Sequence, residues 1–159
     1  MQTQTIHIRL NGVQGQVVDS GNSTSGKVSP SFSRGQKFQL KIGLFDGPAA
    51  SVKMTGDQLA ALAAIWGACA DKSYGEDEAA LEADTVTLDS TNGWLVASFS
   101  DTNGERMQEI LEGKTKETLI CELYGCADNE TQPCFVCVFE LLAFQRIGTA
   151  GIEPAASES

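Results

Sequence analysis

The chain has 159 residues, 42% of them hydrophobic, with 11 Lys and Arg against 21 Asp and Glu, a formal charge of −10. That length suits one domain whose core folds without disulfides or a metal. The negative balance repels phosphate, so no nucleic acid and no membrane surface is expected as a partner, and no apolar run is long enough to span a bilayer.

Ile6, Ile8 and Leu10 alternate with His7 and Arg9, the pattern of a half-buried strand. Asn11-Gly12 then signals a hairpin, with Val13 to Val18 returning. No apolar h-region of a secretory signal precedes it. Residues 19–35 are rich in Ser and Gly and read as a flexible linker. Residues 1–18 are therefore expected to be a β arm, free to add a strand to a neighbour through Ile6, Ile8 and Leu10, or folded back on its own domain.

The main domain is expected over 36–147. Phe38, Leu40, Ile42 and Leu44 share one face of a strand that stops at Asp46-Gly47-Pro48. Ser51 to Met54 reads as a short strand. Thr55 and Gln58 form a capping box, and Leu59, Leu62, Ile65, Trp66 and Cys69 follow at helical spacings, so a helix is expected over about 56–70. Residues 71–84 hold six acids and Lys72, a solvated loop carrying −5 of the charge. Tyr74 sits in it.

Thr85 to Leu88 and Trp94 to Phe99 read as a hairpin about Asn92-Gly93. Thr102 and Glu105 suggest a second capping box, opening a short helix whose apolar face is Met107, Ile110 and Leu111 and whose stop is Gly113. Thr118 to Cys126 and Cys134 to Phe144 flank a turn. Symmetry about residue 130 pairs Cys126 with Cys134 and Leu123 with Cys137. Residues 148–159 form a polar tail.

Little in the chain resembles catalytic machinery. The single histidine, His7, lies in an alternating strand. No nucleophile–base set, phosphate loop or dinucleotide fingerprint occurs, so no enzyme and no cofactor is expected. The five cysteines, Cys69, Cys121, Cys126, Cys134 and Cys137, are an odd number. Cys134-Phe135-Val136-Cys137 has the spacing of a zinc knuckle but the composition of a strand. Residues three apart in a strand face opposite ways, so buried free thiols are expected and no metal. Whether Cys126 and Cys134 meet across the hairpin is a question of geometry.

Four stretches resemble a family of bacteriophage and prophage tail proteins. They are residues 38–49, anchored by Phe38, Leu40, Leu44, Phe45 and Asp46; Trp94 to Ser100 with Met107, Ile110 and Leu111; Thr118 to Leu123; and Phe139 to Leu141 through Gln145-Arg146-Ile147. The resemblance is to the N-terminal domain of upper baseplate or tail-fibre proteins. It implies an immunoglobulin-like antiparallel β-sandwich, mainly β with one or two helices. It also implies a structural or adaptor role, other phage tail proteins as partners, a homo-oligomer, and a place in the virion tail after assembly in the bacterial cytoplasm. The Ala-rich segment and acidic loop depart from that pattern. A second expectation is a module for host-surface carbohydrate, with Tyr74 as its aromatic contact.

Overall fold

The computed structural model describes residues 2–18, 29–47, 52–75 and 78–147. The tail at 148–159 and most of the expected linker lie outside the described residues. Strands β1 (Gln2–Asn11) and β2 (Gln14–Val18) form the anticipated hairpin, shifted by one residue: Asn11 pairs with Gln14, so the turn residues are Gly12, at φ +66°, and Val13, which was expected to begin the return strand. β3 (Ser31–Ser33) and β4 (Phe38–Phe45) follow. β1 lies parallel to β4 over eight residue pairs, Gln2–Phe38 to Arg9–Phe45, and antiparallel to β2 on its other side. It is thus an interior strand. Ile6, Ile8 and Leu10 are 6%, 0% and 6% exposed, in the chain's own core.

β3 falls inside the stretch expected to be linker. Its reason is Phe32, which is buried and stacked on Phe38 at 4.7 Å; Phe38 is stacked on Phe99 at 4.8 Å. A Ser-rich composition hid one aromatic anchor. The Gln4 side chain completes the attachment, since its amide oxygen accepts from the Ser31 amide at 3.1 Å. Buried Arg34 follows, donating from Nε to Gln145 at 2.6 Å.

Helix α1 (Gly56–Leu62) opens with the expected capping box: the Gln58 amide donates to Thr55 Oγ1 at 3.2 Å, and the Thr55 amide to Gln58 Oε1 at 2.8 Å. It ends eight residues before the expected position. Ala63 is already extended, and Ile65–Asp71 is strand β5, paired antiparallel with β9. The run Ile65 to Cys69 satisfies both periods, because Trp66, Ala68 and Ala70 also alternate. The edge of β9 decided the matter by offering hydrogen bonds along seven residues. Gly67 fits this strand sterically: a Cβ there would lie 2.5 Å from the Tyr124 ring. Lys53 and Met54 form no strand; the Met54 amide simply donates to the Leu44 carbonyl at 2.8 Å.

β6 (Leu81–Glu82), β7 (Thr85–Asp89) and β8 (Trp94–Phe99) come next, then α2 (Glu105–Leu111), β9 (Lys116–Cys126) and β10 (Pro133–Phe144). The second capping box does not form. Gly104 is the N-cap, without a side-chain bond, and the buried Thr102 hydroxyl donates to the Gln36 carbonyl at 3.0 Å. The carbonyl satisfies a hydroxyl that is buried away from water, which outweighs a cap that water can replace. The β9–β10 register pairs Leu123 with Cys137 as expected, but Cys126 faces Pro133 and an irregularity follows between Pro133 and Phe135.

The sheet order is β6-β5-β9-β10-β2-β1-β4-β8-β7, with β3 also on β10. Three of its pairings are parallel: β1 with β4, β2 with β10 and β3 with β10. Among the described residues the fold is therefore mainly β with two helices, built as one mixed sheet where two antiparallel layers were expected. The sheet curls into a half-barrel. Its two ends approach where the Ala83 amide donates to the Ala68 carbonyl and the Asp84 amide to the Ser98 carbonyl. One apolar cluster fills the concave side, from Ile8 and Leu40 to Leu95, Met107, Leu119 and Leu141. Parallel pairing explains the topology: β1 and β4 need a long crossover, and residues 12–37 supply it through β2 and β3.

Candidate binding surface around Tyr74

The convex face of the sheet carries the outward alternation of β2, β9 and β10, with Gln14, Gln16 and Glu140 exposed and Ile120 half-buried. The β5–β6 connection folds against it and is held by Asp71. This carboxylate is 6% exposed and accepts four bonds: from Arg106 Nε at 3.2 Å and Nη2 at 2.9 Å, and from the Ser73 and Ala80 amides at 3.1 and 2.9 Å. Burial by itself would raise its pKa. The Arg106 hydrogen bonds and the two amides outweigh burial and hold it below the ordinary aspartate value. One side chain thus closes the loop on itself and ties it to α2.

Tyr74 stands on this clamped loop, 73% exposed. It borders two clefts. The larger, of about 400 Å³, is lined with Gln14, Gln16, Ser29, Ile120 and Glu140. The smaller, of about 190 Å³, is lined with Cys69, Asp71, Ser73 and Glu122. The larger cleft marks a split in the sheet. β10 meets β2 only at Val138, opposite Gln14, and meets β3 only from Leu142 onward. Residues 139–141 lie between these two attachments. Across the opening the Ser29 hydroxyl reaches Glu140 at 3.5 Å, the outer limit of a hydrogen bond.

The rings of the other aromatic side chains with a polar end pack against neighbouring groups. Trp66 packs edge-on to Phe135 at 5.6 Å, and Tyr124 lies against Gly67. Trp94 is half-buried, with Lys41 Nζ at 4.9 Å and Lys53 Nζ at 4.6 Å from its ring. His7 packs against Trp94 at 5.6 Å and Phe45 at 5.8 Å. Ile6, Ile8 and Leu10 are on the concave side, away from this surface.

All five cysteines are free thiols. Burial, with the nearby Glu122 carboxylate, pushes Cys69 up to about 11. Burial pushes Cys137 up to about 12 and raises Cys121 further. Such thiols stay protonated and unreactive. Cys137 is fully buried while Cys134 is exposed, its Sγ donating to the Leu62 carbonyl at 3.1 Å. Among the described residues no three His, Cys, Asp or Glu side chains converge as metal ligands, and no helix is long and apolar enough to cross a membrane.

Tyr74 was singled out from the sequence; Gln14, Gln16, Ser29, Ile120 and Glu140 were not. They come from four separate segments, and no spacing along the chain links them.

No protein-family model matches this sequence, and no curated protein matches it. Among solved structures, the fold is similar to the N-terminal domain of phage TP901-1 ORF48. The superposition covers 91% of this chain and 99% of that one, with a TM-score of 0.51 and 10% sequence identity. The likeness is one of fold, extending over nearly the whole of both chains.

Proposed function

We propose that this chain is a structural component of a phage or prophage tail, an adaptor at a baseplate or fibre attachment point that acts by protein–protein assembly. The supporting observation is the chain-long similarity of fold to a phage protein domain, 91% of one chain on 99% of the other. On this reading its partners are other tail proteins and further copies of itself. Its place is the virion tail, reached after assembly in the bacterial cytoplasm. The β1–β2 hairpin is the element to exchange between copies, since a swapped hairpin would keep Ile6, Ile8 and Leu10 in an identical core.

The test is deletion of the gene from an inducible lysogen, followed by electron microscopy of the released particles. The expected result is tails lacking their distal structure, restored by a plasmid copy. Complete, infectious particles that lack the protein would refute the proposal. Light scattering of the purified chain across concentrations tests self-association separately.

A further inference from the structure

We infer that the larger cleft beside Tyr74 is a binding site for a neutral pyranose sugar. This goes beyond tail assembly and does not depend on it. The cleft combines an apolar ring with polar groups that accept and donate. Tyr74 is 73% exposed, leaving a ring free to stack on the C–H face of a pyranose. Gln14 and Gln16 each offer an amide oxygen and an amide nitrogen, matching sugar hydroxyls that both donate and accept. Glu140 accepts from two adjacent hydroxyls and donates to none. Ile120 supplies an apolar floor.

Preorganisation supports the same conclusion. The loop bearing Tyr74 is anchored by the four bonds to Asp71, so the ring is presented without a large ordering cost. The opposite wall is strand backbone on β2 and β10. Among the described residues, the contact that bridges the opening, Ser29 to Glu140 at 3.5 Å, is weak enough for a ligand hydroxyl to replace. The volume of about 400 Å³ lies within the range of small-ligand sites, about 300–1,000 Å³. Charge selects among sugars. Glu140 lines the site, and the chain carries −10 overall, so uronic, sialic and phosphorylated glycans are repelled.

The test uses the full chain on an array of neutral and acidic bacterial glycans, then titration of the best neutral disaccharide by ¹⁵N NMR. Neutral glycans are expected to bind, shifting the amides of Gln16, Tyr74 and Glu140. Tyr74→Ala should weaken binding by about tenfold, the loss of one ring contact, while Tyr74→Phe stays close to wild type. Because Tyr74 is exposed, both variants should keep the wild-type circular dichroism spectrum. Gln16→Ala is the second variant and should also weaken binding. Absence of neutral-glycan binding, equal binding of acidic glycans, or an affinity unchanged in both Tyr74→Ala and Gln16→Ala would each overturn the inference. None of these outcomes bears on whether tails assemble without the protein.

Discussion

Asp71→Asn removes a charge while nearly keeping the shape, and so isolates what the Asp71–Arg106 pair contributes. Asp71 is 6% exposed and accepts four bonds, two of them from Arg106. Breaking a fully buried pair from one side costs about 3–5 kcal/mol. Arg106 is 31% exposed and also lies 3.6 Å from Glu109, so water and Glu109 take up part of the loss. The expected cost is about 2 kcal/mol at neutral pH, equivalent to roughly 4–8 °C in Tm for a chain of this size. Urea unfolding followed by the fluorescence of Trp66 and Trp94 would measure it, as a lower midpoint at constant slope. The sign of the pH dependence follows from the depressed pKa of Asp71. Its contribution is complete above the ordinary aspartate value of 3.8 and is lost as pH falls from there through the folded-state value. The gap between wild type and Asp71→Asn should therefore be constant from pH 7 to about 5 and shrink below 3.8. A cost within about 0.5 kcal/mol of zero at pH 7, or a gap that does not shrink in acid, would refute the reasoning.

Thr55→Ala removes the hydroxyl half of the α1 capping box and should cost about 1 kcal/mol, whereas Thr102→Val should cost about 1–3 kcal/mol by leaving the Gln36 carbonyl without its donor; chemical denaturation separates the two. Gly15→Ala places a methyl 2.5 Å from Ile8 Cγ2 and 2.8 Å from Cys137 Sγ, so thermal melts should show a loss of about 1–3 kcal/mol from overpacking. In a thiol-labelling time course at pH 8, Cys134 should react first. Cys121 and Cys137 should react only with global unfolding, as they are fully buried with raised pKa values.

Local signals were legible where a few adjacent residues decide the outcome. The Asn11-Gly12 hairpin, the Thr55–Gln58 box and the pairing of Leu123 with Cys137 each depend on a turn or cap read within a short window. The segment from Ile65 to Cys69 was not, because its apolar positions fit a helix and a strand equally well. Thr102 misled for a related reason: its hydroxyl had a local partner available and a distant one, and the distant one prevailed. Of the candidate site, only Tyr74 stood out, as an aromatic in a loop of charged and small residues.

Alternation, turn signals and glycine placement along the chain specified the apolar core positions, the turns, a β-rich chain and where each of two helices begins, though not where the first one ends. Tertiary structure alone decided that the strands join in one curled mixed sheet, that β1 runs parallel to β4 at its centre, and that Phe32 fastens β3 to the core. It also decided the cleft, which exists because β2 leaves β10 after one residue pair and β3 joins further along. The physical reason is that strand order and register are set by contacts among residues far apart in sequence. Their energies depend on which faces can be buried together, and no local pattern carries that information.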